Sequence, residues 1–294
     1  MKPAELADPM GSDLRADDLR RAHMLKALKA NSTPHLMGII NVTDDSFFAA
    51  SRASEHDAVQ RGIEMWDAGA MWVDIGGEST RPGADAISVE DELKRVLPVI
   101  AALRAMRPDG LISVDTRHAL VAREALGAGA DMVNDVSGLR DPAMMDVVVE
   151  SGCAVCIMHM QGEPGTMQHQ PTYDDCAAEV RDHLAAIRQR LIERGHPPEL
   201  IVIDPGIGFG KTQDHNIELL QEGRKLAPSG DTPLLWGVSR KSVVGHITGH
   251  ADPTERLAGT LGLAVIAQRM GIDILRVHDV QAHVDLFNAL NRFN

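Results

Sequence analysis

The chain has 294 residues, with 42 acidic against 29 basic side chains and a net charge of −13. That balance excludes a broad nucleic-acid-binding surface, which needs a basic footprint, and five Phe, three Trp and one Tyr are too few for a base-stacking platform. No apolar run approaches the ~20 residues of a membrane helix, and the opening MKPAELADPMGSDLRADDLRR has no apolar signal core, so a cytoplasmic protein is expected.

Residues 1–34 read as a charged, helix-prone extension with one surface helix, because apolar side chains stay sparse until Met24, Leu25 and Leu28. From residue 35 the texture changes. Short apolar runs recur at LMGIINV (36–42), MWVDIG (71–76), LISVDT (111–116), DMVNDV (131–136), AVCIMH (154–159), LIVIDPG (200–206), LLWGVS (234–239) and ILRVHD (274–279). Stretches of helical period separate them, over 55–69, 88–105, 117–128, 142–151, 174–194, 214–226, 253–270 and 280–291. Ser88 is placed to cap the second of these, with Asp91 three residues on. Near-continuous apolar strands alternating with helices imply a parallel sheet. Eight such units over residues 35–294 imply an α/β fold, a single-domain (β/α)8 TIM barrel; a doubly wound sheet is the alternative.

Cys153, Cys156 and Cys176 cannot all pair. Cys153 and Cys156 form C-x-x-C, but within a strand, where residues three apart face opposite ways. A redox motif needs a helix start instead, so these read as small core residues in a reducing compartment.

Each apolar run ends in a polar residue: Asn41, Asp74, Asp115, Asn134, His159, Asp204, Arg240 and Arg276. In a barrel these ends converge on one mouth, where active sites lie. DIGGESTRPGA (74–84) follows the second strand and offers Thr80 and the cationic fork of Arg81, suited to phosphate oxygens. DPGIGFGKT (204–212) superficially looks like a P-loop, but the glycine required five residues before Gly210 is Pro205. GVSRKSVVG (237–245) supplies Arg240, Lys241 and Ser242 where barrel phosphate sites recur, and RVHDV (276–280) adds Arg276 and His278. For His159 a core role and a site role stay open. No H-E-x-x-H or close histidine pair suggests zinc. The mouth is expected to be two-ended: Asp74, Asp115, Asn134 and Asp204 on one side, Arg81, Lys241, Arg276 and His278 on the other. Such a mouth suits a heterocycle with paired N–H donors joined to a phosphate group.

These segments resemble the dihydropteroate synthase family of pterin-binding enzymes. MGIINVT with DSF, DIGGESTRPGA, SVDT, ND, MHMQG, DPGIGFGKT, SRKS, ERLAGTL and RVHDV occur in family order over residues 36–290. The resemblance implies displacement of pyrophosphate from a (dihydropterin-6-yl)methyl diphosphate by para-aminobenzoate, forming dihydropteroate in folate biosynthesis. It implies catalytic roles for Asp115, Asp204, Lys241 and Arg276. The pterin pocket falls on Asp74, Asp115, Asn134, Val136, Met158, Asp204 and Lys241. The diphosphate site falls on Asn41, Thr80, Arg81, Arg276 and His278, with Mg²⁺ on Asn41. The aminobenzoate site falls on Phe47, Thr80, Pro82, Phe209, Lys241 and Ser242. A homodimer is implied as well; Leu257, Leu261, Leu263, Ala264 and Ile266 make an apolar helix that burial within one chain would also explain. The first loop departs from the family's T-P-D-S-F-S-D-G-G: Asp44 replaces the proline, Ala49 the second aspartate, and Ala50 and Ser51 the paired glycines. A non-catalytic pterin-binding paralogue and a methyltetrahydrofolate-dependent methyltransferase domain are the alternative readings.

Overall fold

The computed structural model describes residues 10–42, 51–78, 87–163 and 165–293. Eight strands alternate with helices, as the apolar runs imply: β1 (His35–Asn41), β2 (Trp72–Gly76), β3 (Leu111–Asp115), β4 (Met132–Asp135), β5 (Ala154–Met158), β6 (Ile201–Asp204), β7 (Leu235–Trp236) and β8 (Ile274–Val277). Every paired neighbour is parallel, in the order β6-β5-β4-β3-β2-β1-β8-β7. A single bridge, Ile203 to Leu234, brings β6 against the start of β7 and closes the barrel.

The helices are α1 (Met10–Leu28), α2 (Ser51–Ala68), α3 (Val89–Met106), α4 (Ala119–Gly127), α5 (Met144–Ser151), α6 (Cys176–Glu193), α7 (Gln213–Glu222), α8 (Ser242–Thr248), α9 (Leu257–Arg269) and α10 (Val280–Leu290). Ser88 caps α3 as expected, its Oγ accepting from the Asp91 amide at 3.1 Å. The short α8 leaves no mark in the sequence pattern, because about two turns interrupted by Gly245 carry too little periodicity.

The period of two along each strand sorts the core. Val73, Ile75, Ile112, Val114, Val133, Val155, Ile201 and Ile203 belong to the core packed against the helices. Met37, Trp72, Leu111, Met132, Ala154, Cys156, Val202, Leu235 and Ile274 form a second core inside the barrel. Cys153 belongs to the first cluster and Cys156 to the second, so the two thiols sit on opposite sides of β5. Continuing each inward series toward the strand C-terminus gives Trp72–Asp74–Gly76, Leu111–Ser113–Asp115, Met132–Asn134, Val202–Asp204 and Ile274–Arg276. The interior therefore changes from apolar at the floor to polar and ionic at the mouth within two to four residues of each of these strands.

The end of α1 is not a surface element. Met24, Ala27 and Leu28 are buried in the inner core, and the Trp72 indole Nε1 donates to the Ala27 carbonyl at 3.1 Å. Three apolar residues in the last turns of a polar helix suffice to seal the floor, a pattern too short to stand out by periodicity. Leu28→Ala should therefore cost about 2–5 kcal/mol of stability, as a large-to-small core change does. Urea unfolding measures it, and an unchanged midpoint would show that α1 does not close the barrel.

Candidate active site

The register sets the first row of the site. Asn41 pairs with Gly76, Gly76 with Asp115, and Asp115 with Asn134, so four strand ends lie side by side. Asp74 is one inward step below, fully buried. Arg276 reaches across from β8: its Nε donates to Asp74 Oδ2 at 2.6 Å and its Nη2 to Asp115 Oδ2 at 2.6 Å. Asn134 Nδ2 adds a second donor to Asp74 Oδ2 at 3.1 Å. Burial raises the Asp115 carboxyl above the ordinary aspartate range, opposed by the adjacent guanidinium.

The two-ended mouth expected from sequence is not what the side chains form. Arg276 stands among the carboxylates rather than opposite them, because two acidic groups taken out of water need a counter-charge at contact distance. Its fork has five N–H donors in all. Those not used on Asp74 and Asp115 remain for another anion.

Asp204 and Lys241 are charge neighbours across Gly237, Asp204 Oδ2 and Lys241 Nζ each lying 3.6 Å from where a Cβ on that glycine would sit. Burial raises Asp204 and lowers Lys241 to about 8, each opposed by the other's charge. Lys241 Nζ donates to the Ile207 carbonyl at 2.7 Å and lies 4.5 Å from the centre of the Phe209 ring, a cation–π distance. Val136, Met158 and Phe209 form one small apolar cluster at the mouth, together with Met160 and Met167. Ser242 is exposed at the start of α8, where Gln213 Nε2 reaches its Oγ at 3.4 Å.

The loop after β6 is held from several sides. Gly206, at φ +69°, has no room for a side chain: a Cβ there would lie 1.9 Å from the His159 carbonyl oxygen. Gly210, at φ +58°, is pressed against Gln161 in the same way, 2.2 Å from its carbonyl oxygen. Tyr173 Oη donates to the Gly210 carbonyl at 2.7 Å, and the Gly208 amide donates to Asn216 Oδ1 at 2.7 Å. The buried Lys211 ammonium donates to His159 Nδ1 at 3.0 Å, the His159 carbonyl at 3.2 Å and the Phe209 carbonyl at 2.9 Å. Burial, then the Lys211 charge beside it, pushes His159 down to about 2, so its ring is neutral. His159 is thus a buried support for the loop. Lys211 was missed as a site-shaping residue; its only sequence signal was the Gly-Lys pair after the glycine-rich run.

Three consecutive residues after β7 tie it to two other segments, the one after β8 and the one after β6. Ser239 Oγ contacts both the amide and the Nδ1 of His278, Arg240 makes a bidentate pair with Asp279 at 2.7 Å on each oxygen, and Lys241 reaches Ile207. Arg240 is therefore structural, held at φ +57°. Phe47, Thr80, Arg81 and Pro82, with the altered first loop through Ala50, lie outside the described residues, and Ser51 opens α2.

No group of three or more His, Cys, Asp or Glu among the described residues forms a metal cage. The donor set at Asn41 is nonetheless suited to Mg²⁺. Asn41 Oδ1 and Asp115 Oδ2 flank the side-chain face of Gly76, 3.8 Å and 3.6 Å from where a Cβ would sit. Mg²⁺ commonly takes one or two protein oxygens and completes its shell with water and phosphate. No helix among the described residues is long and apolar enough to cross a membrane.

Comparison with known proteins places this geometry in a family. The model of the pterin binding enzymes matches residues 37–278. The dihydropteroate synthase of Escherichia coli K12 is 46% identical over 260 residues, covering 88% of this chain and 91% of its own length. The structure of Xanthomonas albilineans dihydropteroate synthase with 4-aminobenzoic acid superposes with a TM-score of 0.82 at 42% identity, covering 89% of this chain and 93% of the other. That of Burkholderia cenocepacia dihydropteroate synthase complexed with 7,8-dihydropteroate gives 0.80 at 42% identity, covering 88% and 91%. The chain is a member of the dihydropteroate synthase family of pterin-binding enzymes.

Proposed function

We propose that this chain joins para-aminobenzoate to a (7,8-dihydropterin-6-yl)methyl diphosphate, releasing pyrophosphate and forming 7,8-dihydropteroate. The observation that carries the reading is the inward ionic ring, in which Arg276 spans Asp74 and Asp115 while Lys241 sits with Asp204. Its members are residues on which the family resemblance places the pterin contacts and the catalytic roles.

Asp115, Asn134 and Asp204 offer acceptors and an amide to the N–H edge of the pterin, with Lys241 at its carbonyl side and Asp74 behind. Val136 and Met158 line its faces. The unused donors of Arg276, with His278, Thr80, Arg81 and Asn41, receive the diphosphate. Phe209, Lys241 and Ser242, with Phe47, Thr80 and Pro82, receive the aminobenzoate. Mg²⁺, held at Asn41, would neutralise charge on the diphosphate.

The chemistry asks the side chains for electrostatics more than for a strong base. The methylene C–O bond breaks, and its electron pair leaves with the pyrophosphate. The electron-rich pterin stabilises the cationic carbon, in the field of Asp115 and Asp204. The arylamine lone pair then forms the C–N bond and its proton passes to water. Cationic donors fixed where the leaving charge develops lower this barrier without reorganising. The chain is further read as a cytoplasmic homodimer; the exposed Ile266, which shares the solvent side of α9 with Ala258 and Gly262, supports the second point.

Pyrophosphate release from the purified protein should require the pterin diphosphate, Mg²⁺ and aminobenzoate together. Pterin binding without aminobenzoate-dependent release would favour the non-catalytic reading. Lys241→Ala and Asp204→Asn should each lower turnover by at least about 100-fold, the scale for removing one group that stabilises a transition-state charge.

Lys241 is a cation below about pH 8 and loses its proton above it. The rate should therefore fall as pH rises through that value, and Lys241→Arg, although slower, should remove this alkaline limb from the kcat/KM profile. A limb unchanged in Lys241→Arg would assign it to another group. Gly206→Ala should be both less stable and less active, since the new methyl meets a backbone carbonyl that cannot yield; thermal unfolding and turnover together check this.

A further inference from the structure

We infer that Ser239 is a positioning residue that fixes the neutral ring of His278 as the Nε2–H tautomer, so that the ring meets an anionic oxygen as a donor without needing a charge. The inference rests on the reading of His278 as a diphosphate contact.

The argument is a count of donors and acceptors at one oxygen. Ser239 is buried between β7 and α8, and its Oγ has two polar neighbours among the described residues. The first is the backbone amide of His278, at 3.2 Å, which can only donate. It occupies one of the two lone pairs of the hydroxyl. The second is His278 Nδ1, at 3.0 Å, which donates or accepts according to tautomer. A protonated Nδ1 would fill the second lone pair and leave the hydroxyl hydrogen buried without an acceptor. A bare Nδ1 accepts that hydrogen, and every group is satisfied. The cost of an unmade buried hydrogen bond selects the second arrangement. The ring proton of neutral His278 is then on Nε2.

The neighbouring contacts make this pairing rigid. Arg240, next to Ser239, grips Asp279, next to His278, through two bonds of 2.7 Å. The Arg240 amide is itself bonded to Thr260 Oγ1 at 3.1 Å, and its guanidinium to the carbonyls of Pro253 and Thr254. The two loop segments thus lie in fixed register, and Ser239 cannot slide away from the imidazole. The device also joins two halves of the site, since Lys241, two residues on, belongs to the pterin and aminobenzoate contacts. Two groups are set by one tripeptide.

The test reads the tautomer directly. Histidine nitrogen resonances of the full-length protein labelled with nitrogen-15, recorded at about pH 8.5, above the usual imidazole range, are assigned to His278 by their loss in His278→Gln. The expected spectrum has a pyridine-like Nδ1 and a pyrrole-like Nε2. A pyrrole-like Nδ1 overturns the inference, whatever the enzyme's activity.

Ser239→Ala should shift this pattern toward the other tautomer. It should weaken binding of inorganic pyrophosphate with Mg²⁺, read by calorimetry, by roughly tenfold, the scale of one hydrogen bond. The KM for aminobenzoate should not change, and Ser239→Thr should restore pyrophosphate affinity. Unchanged affinity in Ser239→Ala overturns the positioning role. If that variant does not fold, the wild-type spectrum still decides. Because the spectrum and pyrophosphate binding do not require turnover, absence of aminobenzoate-dependent release would count against the proposed reaction and leave this inference to stand or fall on those two readouts.

Discussion

A guanidinium held between two buried carboxylates governs the mouth of this barrel. Asp74 lies one inward step, and Asp115 two, above an apolar core, where an unpaired carboxylate is costly. Arg276, from the opposite side of the β1 junction, makes their burial tolerable. The same interaction presents a cation and two acidic groups within one hydrogen-bond length of each other. A ligand with a donor-rich ring and an anionic tail finds both complements already assembled, and its binding need not wait for the side chains to gather. The stability requirement and the chemical requirement are met by one arrangement.

The second constraint is backbone packing. The loop after β6 lies directly on the turn after β5, with Gly206 and Gly210 in contact with main-chain oxygens. Lys211, Tyr173 and Asn216 then fasten it. Ile207 and Phe209, which meet Lys241, are thereby placed by contacts that do not touch the ligand space themselves. A loop rich in glycine is in this setting a rigid part, because its glycines serve close approach and not freedom of movement.

The barrel was legible in the sequence because its strands are buried on both faces and so read as unbroken apolar runs. The phase of the polar residues at their ends was legible for the same reason: a period of two leaves only certain positions inward. Which polar residues touch was not legible. Arg276 and Asp74 are 202 positions apart, and nothing local in RVHDV or DIGG states that they bond. The support role of His159 was equally hidden, since a histidine beside a lysine in space has no mark in either segment. The end of α1 reads as surface in the sequence because, among the described side chains, only Met24, Ala27 and Leu28 are fully in the core, with Leu25 against it. The first-loop substitutions at 44, 49 and 50 and the segment carrying Thr80 to Pro82 fall outside the described residues, so the family resemblance alone speaks to them.

The barrel wall is uneven. Seven neighbouring pairs of strands share ladders, whereas β6 and the two-residue β7 meet through the one bridge between Ile203 and Leu234. Asp204 ends β6, and Lys241 follows β7, so their attraction crosses this seam just above it. A molecule gripped by both side chains acts as a rivet, adding across the gap what the backbone leaves unbonded. Occupancy of the pocket and closure of the cylinder are then linked quantities: whatever binds there also resists the parting of β6 from β7, and whatever loosens that seam drains affinity from the pocket.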